Sequence, residues 1–321
     1  MSKRFFIGAV AALFAPLAAA QQPPYPSKSI RMIASQAPGG GIDTLCRIVA
    51  PKLSEAFGQT VIVENRAGAN GSLAAEVTAK SPPDGYTIML GAVGNLGTNV
   101  IYYKKLEYDP VRDLAPITPA ILSASVLVVH PSVPARSVKE LIMLARKQPN
   151  ALAYGTSGTG GAGHLAGALF RSMTKTQLLH VPYKGGAPAA AATVAGETAA
   201  VWSGSSNAAQ IKAGRLRPIA VSGAHRSAQY PDLPTIGEFY PGFENSIWLG
   251  LFGPAGMPEE TLAKLRAEMR RVLESPDVKQ KMNAAGGLDP YLASPEEFAA
   301  LIQRDYEKYA KVVKDIGLKV D

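Results

Sequence analysis

Two glycine-rich segments are the clearest candidates for binding chemistry in this sequence. The first is APGGGIDT at residues 37–44, and the second is YGTSGTGGAGH at residues 154–164. Each lies between a predicted strand and a predicted helix, where free backbone N–H groups and the helix dipole attract an anion such as a carboxylate. The alternative for each is a tight turn without a ligand. The candidate contacts are Gly39, Gly40, Gly41, Asp43, Thr44, Thr156, Ser157, Gly158, Thr159, Gly160 and His164.

Two of these candidates also have a structural interpretation. Asp43 would stand in the first turn of a helix, where a carboxylate satisfies backbone N–H groups more readily than it contacts an anionic ligand. His164 is the last residue of the second segment. Its side chain either lines the loop or makes a structural hydrogen bond.

The second segment also contains the pattern G-x-G-x-x-G, at Gly158, Gly160 and Gly163. A dinucleotide site needs an acidic residue about 20 positions further on to hold the ribose, and here none occurs before Glu197. The spacing also misses the nucleophile elbow, because Thr159 stands where G-x-S-x-G requires glycine. We therefore exclude NAD and expect no cofactor.

The reactive residue types do not form a catalytic or metal-binding pattern. The four histidines are dispersed, and none has metal-ligand spacing to another histidine or to the one cysteine, Cys46. Cys46 lies in an apolar helical pattern, which favours burial over reactivity. Neither paired carboxylates nor a Ser/His/Asp set stands out. The sequence therefore predicts a binding protein without metal rather than an enzyme.

The positive charge is concentrated in one part of the chain. Residues 141–231 contain nine Lys or Arg and one carboxylate, Glu197, against a net charge of +8 for the whole chain. A basic module that faces a cleft raises the local concentration of anions. The alternative is a solvated basic surface. Nucleic acid is not an expected partner, because the basic residues are dispersed and not interleaved with aromatics.

The first twenty residues read as a secretory signal peptide. Lys3 and Arg4 form a positive head, an apolar uncharged run follows over residues 5–20, and Ala18-Ala19-Ala20 precedes Gln21. The alternative is a short membrane anchor. We expect export to the periplasm with cleavage near Ala20, and no stable membrane insertion of the mature chain, because no other apolar run is long enough.

Hydrophobic periodicity predicts alternating strands and helices. Strands are expected over 29–35, 61–64, 86–90, 125–129, 151–154, 179–181, 199–202, 217–221 and 247–252. Helices are expected over 42–57, 72–80, 138–146, 164–173, 188–195, 207–213, 258–273 and 295–316. This alternation indicates an α/β protein of two lobes, each a mostly parallel sheet flanked by helices, with a ligand cleft between them. The expected division is residues 21–122 plus 246–321 for lobe 1 and 123–245 for lobe 2.

Seven segments together resemble the substrate-binding proteins of tripartite tricarboxylate transporters, the Bug or TctC family. The similarity covers nearly the whole mature chain, and the order and spacing of the segments make it specific. They are YPSKSIR at 25–31, APGGGID at 37–43, VENRAGANG at 63–71, PDGYT at 83–87, YDPVRD at 108–113, HVPYKG at 180–185 and PDLPT at 231–235.

The resemblance implies a type II-like periplasmic binding protein that closes on a small carboxylate. It adds further expected ligand contacts to those of the two glycine segments: Val93, Asn95, Asn99, Trp202 and Ser203. Asn65 and Arg66 are expected to be structural. The chain departs from the family pattern at Gln36, where many members have an aromatic residue, and at residues 198–205, where many carry acids.

The expected partners are a small carboxylate and the membrane subunits of a transporter, with a monomeric protein. The alternatives are a sensing subunit that presents its ligand to a membrane receptor and an enzyme on the same scaffold, since fold does not fix function. The strand-end residues Trp202 and Ser203 suit an aromatic or aliphatic body. The scarcity of carboxylates in residues 141–231 favours a ligand without an obligatory ammonium group.

The signal peptide, or leader, of residues 1–20 predicts where the mature protein begins. Because the charged head, apolar run and small residues all precede Gln21, we expect the periplasmic form to begin near that residue. Intact-mass spectrometry of protein released from the periplasm checks this. A mature protein that retains Met1 would contradict it.

Overall fold

A computed structural model describes residues 24–92, 94, 99–102, 105–227, 229–286 and 288–315. Within these ranges the chain forms two five-stranded sheets covered by helices. The leader, Val93 and Asn95 lie outside the described residues. Among the residues described, no helix is both long and apolar enough to cross a membrane.

The first sheet has the strand order β2-β1-β3-β10-β4. Its strands are β1 Ile30–Ala34, β2 Val61–Asn65, β3 Thr87–Ala92, β4 Leu114–Ala124 and β10 Ser246–Pro254. The second sheet has the order β7-β6-β8-β5-β9. Its strands are β5 Val126–Val129, β6 Ala153–Thr156, β7 Leu179–Pro182, β8 Ala200–Ser203 and β9 Arg217–Val221.

Ten helices accompany these strands in the described part of the chain. They are α1 Gly41–Phe57, α2 Ser72–Ala79, α3 Asn99–Tyr102, α4 Val138–Lys147, α5 Ala162–Thr174, α6 Gly186–Val194, α7 Ala208–Lys212, α8 Glu259–Glu274, α9 Pro276–Ala285 and α10 Pro295–Asp315. Every strand and helix expected from the sequence has a counterpart, whereas β4, α3 and α9 were not expected.

The two-lobed α/β architecture is confirmed, and each sheet is mixed because it contains one reversed strand. In each sheet four strands run in one direction, and one reversed strand pairs antiparallel on both sides: β10 in the first sheet and β5 in the second. The chain enters both reversed strands from the other lobe. No crossover helix precedes them within their own sheet, so nothing imposes the parallel direction there.

Strand β4 was missed because it contains Pro116 and Pro119, which lack the N–H that a ladder needs. It lies at the edge of the first sheet, where such residues are tolerated. The pairing with β10 shifts register between Leu249 and Gly250 and again between Leu251 and Phe252, opposite these prolines. The prolines therefore shape the edge of the sheet without ending the strand.

Apolar periodicity places α1 against the first sheet. Leu45, Cys46 and Val49 are fully buried in one cluster with β1 and with α8 and α9. Burial raises the pKa of the Cys46 thiol, since the thiolate would lose its hydration there. A separate cluster lies in the second lobe and includes the almost completely buried rings of Tyr154, Phe170 and Trp202.

The chain passes between the sheets at Ser125 and returns at Asn245. The backbone N–H of Ser125 donates to Ser222 Oγ (2.9 Å), and the Ser222 hydroxyl donates to the carbonyl of Asn245 (2.7 Å). The two crossings are thus tied to each other. Because β4 continues to Ala124, the first crossing lies slightly beyond the expected boundary of lobe 1, and the exact division remains a prediction.

Helix α10 packs on this junction from the first lobe. The Trp248 indole donates to Asp305 Oδ2 (2.8 Å), and Asn245 Nδ2 donates to the Tyr309 hydroxyl (3.1 Å). Burial raises the pKa of Asp305. Phe298 of α10 and Leu165 of α5 belong to one apolar cluster, so the helix contacts both lobes.

A buried histidine and a half-buried histidine stack in the second lobe. The rings of His164 and His180 lie with centroids 3.9 Å apart. The Gly160 N–H donates to His164 Nδ1 (3.0 Å), and His180 Nε2 lies 2.6 Å from Thr156 Oγ1. Burial, with a smaller effect of the charge on Arg171, lowers the pKa of His164 to about 4. Burial, with the effects of His164 and Arg171, lowers the pKa of His180 to about 3.

These shifts predict that acid destabilises the protein. Between about pH 6.5 and the depressed pKa of about 4 for His164, the unfolded chain binds a proton at this residue that the folded protein excludes. The free energy of unfolding therefore falls as the pH drops through this window, by roughly 3 kcal/mol for His164 alone. Above the window, His164 has little effect on the pH dependence of this free energy.

Urea unfolding at several pH values checks this expectation. His164→Gln should flatten the dependence between pH 6.5 and 4, whereas the matched change His225→Gln, at an exposed histidine, should keep the wild-type slope. An unchanged slope in the His164 variant would show that the stacked pair does not govern acid stability.

Candidate functional site

A cavity of about 290 Å³ lies between the two lobes. The first lobe lines it with the turn after β1 and with the turn that leads into α2. The second lobe contributes the loop after β6, the segment after β7 and the end of β8. Ser125, at the crossing, also lines the cavity. The site therefore depends on both lobes at once.

Four helices direct their N-termini at this cavity, two from each lobe. The lining includes Gly41 at the start of α1, Gly71 before α2, Gly161 before α5 and Gly186 at the start of α6. Glycine occupies each N-cap position, so no cap side chain satisfies the first-turn N–H groups. Each helix end carries about half a positive charge. The arrangement attracts an anion from both lobes.

The charged side chains agree with this preference. Among the described lining residues the one charged side chain is that of Lys184, and none is a carboxylate. Glu197 is exposed and accepts a hydrogen bond from the Tyr183 hydroxyl; burial, followed by the charge of Glu197, raises the pKa of Tyr183. An anionic ligand thus meets N–H donors and one lysine without a like charge in the described wall.

Five of the residues expected to bind ligand line the cavity. They are Gly41, Ser157, Gly158, Thr159 and Trp202. Eight others lie outside the described lining: Gly39, Gly40, Asp43, Thr44, Asn99, Thr156, Gly160 and His164. Ser203 ends β8 directly after Trp202, and Val93 and Asn95 fall outside the described residues. Ligand contact by any of them stays a prediction.

Asp43 fixes the first glycine segment through hydrogen bonds to its carboxylate. Its carboxylate accepts hydrogen bonds from the Gly39 N–H (2.8 Å), Arg47 Nε (3.0 Å) and Asn65 Nδ2 (2.8 Å). Burial acts to raise the pKa of Asp43, but the hydrogen bonds from Arg47, Gly39 and Asn65 outweigh it and lower the pKa. Asn65 also donates to the carbonyl of Gln36 (2.9 Å), which is the structural role expected for it.

Asn70 lines the cavity and was not predicted. It has a left-handed backbone, with φ of 50°, in the turn before α2. Its Nδ2 donates to Asn99 Oδ1 (2.9 Å), and Asn99 Nδ2 donates to Ser72 Oγ (2.7 Å). Asn99 therefore positions Asn70 from a buried site. The Asn70-Gly71 pair, a common left-handed turn signal, was the sequence feature that could have identified it.

The side-chain amide of Asn70 reaches the opposite lobe. A β-carbon added at Gly161 would lie 3.0 Å from Asn70 Oδ1, and one added at Gly158 would lie 3.6 Å from it. The lobes approach closely at a second place, where a β-carbon at Gly39 would lie 3.5 Å from that of Ala187. The structure is therefore closed around the cavity, and glycines permit the close approach.

Two buried polar atoms of lining residues have no hydrogen-bond partner among the described residues. They are the indole N–H of Trp202 and the hydroxyl of Ser125. An unpaired buried donor costs about 1–3 kcal/mol. An oxygen of a ligand or a bound water that reached either group would recover part of that free energy.

Relatives of known sequence are similar to this chain along most of its length. A Pseudomonas sp. (strain P51) protein, the UPF0065 protein in the tcbD-tcbE intergenic region, is 35% identical over 300 residues, which cover 92% of this chain and 89% of the relative. Protein BugT of Bordetella pertussis is 31% identical over 299 residues, covering 92% and 91% of the two chains.

Solved structures agree with the sequences. An R. palustris protein solved with adipate is 33% identical, with a TM-score of 0.89, over 92% of this chain and 100% of its own. MatC from Rhodopseudomonas palustris, solved with bound malate, is 28% identical with a TM-score of 0.85, over 90% of this chain and 100% of its own.

The family model for the tripartite tricarboxylate transporter family receptor, TctC, matches residues 45–318. This match includes most of both lobes and confirms the resemblance seen in the seven sequence segments. The chain therefore belongs to the TctC family of periplasmic solute-binding receptors.

Proposed function

We propose that this protein captures a small organic carboxylate between its lobes and delivers it to the membrane subunits of a tripartite tricarboxylate transporter. The observation that carries the proposal is the convergence of four uncapped helix N-termini on a cavity whose described lining has no carboxylate. The carboxylates held by two structural neighbours, adipate and malate, support the same ligand class.

The distribution of charge supports capture as well as binding. Within the second lobe, positions 141–231 contain nine basic residues and one carboxylate. Most of these bases lie outside the cavity lining, so they act on a free anion at a distance. This effect raises the rate of encounter, whereas the N–H groups of α1, α2, α5 and α6 hold the ligand after arrival.

The same features disfavour an amino acid as ligand. A buried ammonium needs an acceptor, preferably a carboxylate, because an unpaired buried charge is costly. Asp43 is already bonded to Gly39, Arg47 and Asn65, and Glu197 is exposed and bonded to Tyr183. Neither carboxylate lies in the described lining.

Delivery follows from ligand-dependent closure. A ligand that bridges α1 and α2 of one lobe and α5 and α6 of the other binds the closed form better than an open one, and so shifts the population towards closure. The membrane subunits would then recognise the closed surface of the exported receptor, after removal of the leader.

A screen of organic acids by thermal unfolding tests ligand class. A simple mono- or dicarboxylate at 100 times its dissociation constant should stabilise the protein by about 2.7 kcal/mol, and its α-amino analogue should bind more weakly. Calorimetry then gives the affinities. Tight binding of an amino acid together with much weaker binding of its deaminated analogue would refute this part of the proposal.

Asn70→Asp tests the location of the site. It places a carboxylate in the cavity without changing side-chain size. Charge repulsion should therefore lower the affinity for the acid found in the screen by about tenfold or more. Asn283→Asp makes the same change at an exposed position of α9 and should leave the affinity unaltered. Equal affinities in the two variants would move the binding site away from this cavity.

Transport is tested in cells that carry the gene for this chain. Deletion should abolish uptake of the bound acid, and the wild-type gene should restore it, whereas the Asn70→Asp gene should not at low concentrations of the acid. Normal uptake in the deletion strain would instead favour a sensing role.

A further inference from the structure

One side of the cavity is apolar. Ile121, Leu249 and Leu288 line it and are almost completely buried. Leu249 pairs directly with Ile121 across the antiparallel strands β10 and β4, so their side chains share one face of the first sheet. Ile247, two residues before Leu249 on β10, lies on the same face. Trp202 of the second lobe also belongs to the lining.

Ile247 differs from its apolar neighbours because it is only half-buried. It lines the cavity opposite Gly204, which follows β8. A β-carbon added at Gly204 would lie 3.6 Å from Ile247 Cδ1 and would meet no other heavy atom of the described residues within 4 Å, its chain neighbours aside. Space therefore remains beside Ile247 because position 204 has no side chain.

The backbone does not require glycine at position 204. Its φ lies outside the left-handed region that is found at Gly158 and Gly160. An ordinary residue would fit the backbone there, and its β-carbon would make an ordinary contact. The consequence of glycine at this position is thus the size of the cavity, not the course of the chain.

The lining also includes the polar residues Ser125, Trp202 and Ser206, whereas Asn70 and Lys184 lie elsewhere in the cavity. Asn70 Oδ1 faces the positions of Gly158 and Gly161, at the N-terminus of α5. Lys184 precedes Gly185, where an added β-carbon would lie 3.5 Å from Ala37, so the lysine belongs to the side of the first glycine segment. The described residues thus place Asn70 and Lys184 on one side and Ile247 with Gly204 on another.

We infer, on the basis of the proposed function, that the space between Ile247 and Gly204 is a subsite for an uncharged hydrocarbon group. The ligand is then a carboxylate with an apolar body, either an alkyl chain or an aromatic ring, whose carboxylate lies at the helix N-termini. Gly204 sets how large that body can be.

Calorimetry with propanoate, butanoate, pentanoate and hexanoate tests the subsite. Affinity should rise by about fourfold for each methylene until the cavity is full, which corresponds to about 0.8 kcal/mol per buried CH₂. Hexanoate should also bind more tightly than adipate, because the second carboxylate of adipate would lose its hydration against Ile247.

Gly204→Val should lower the affinity for hexanoate by tenfold or more and leave the affinity for propanoate unchanged, because the new side chain fills only the apolar end of the cavity. Ala213→Val makes a similar addition at an exposed position beyond α7 and should change neither affinity. Circular dichroism and the urea midpoint confirm folding of both variants, and Gly204→Ala replaces the valine variant if that one does not fold.

The outcomes separate the subsite from the proposed function. Three outcomes would overturn the subsite while leaving carboxylate binding intact. The first is equal affinity for all four chain lengths, and the second is tighter binding of adipate than of hexanoate. The third is an equal loss of affinity for propanoate and for hexanoate in the Gly204 variant. If no carboxylate binds at any length, the proposed function fails, and the subsite fails with it.

Discussion

The N–H groups in the first turn of a helix have no partner inside that helix, and they need an acceptor. In this protein four helices present such groups to one cavity, and each begins after a glycine, which offers no side-chain oxygen: Gly40, Gly71, Gly161 and Gly185. In α1 the Gln36 side chain accepts a hydrogen bond from the Ile42 N–H (3.4 Å), and before α2 the Ala69 carbonyl accepts one from the Ser72 N–H. The N–H groups that remain need an acceptor from a ligand or from water. Because two helices belong to each lobe, a ligand that satisfies all four also holds the lobes together.

The glycine segments keep their shape through polar contacts on the side away from the cavity. Asp43 holds the first segment through Gly39, and His164 holds the second through Gly160. Asn99 does the same for the turn at Asn70. Side chains that support a loop on the side away from the cavity leave its other backbone N–H groups available to a ligand in the cavity. This explains why several residues of the binding motifs lie outside the described lining.

Most of the fold could be predicted from local patterns, because α1 and its neighbours follow regular apolar spacing. The direction of β10 and β5 could not, since it depends on the chain arriving from the other lobe. Strand β4 was hidden by Pro116 and Pro119, which are tolerated only because it lies at an edge. The anion-binding character of the loops was readable from glycine and helix position. The Asn70-Gly71 turn was readable too, but the position of Asn70 in the cavity was not, because it depends on Asn99, Gly158 and Gly161, which are distant in sequence.

Closure is linked to apolar packing through a single helix. The N-terminal residues Ala162 and Gly163 of α5 line the cavity, and Leu165, on the same helix, packs with Trp248 and Phe298 of the first lobe. A helix moves as a rigid element over this short distance, so the ligand-facing N–H groups and the apolar contact move together. The tie between Ser125, Ser222 and Asn245 lies at the crossings. The free energy of the closed form therefore combines two contributions that act on α5: the acceptor that the ligand brings, and the apolar surface that Leu165 buries against the other lobe.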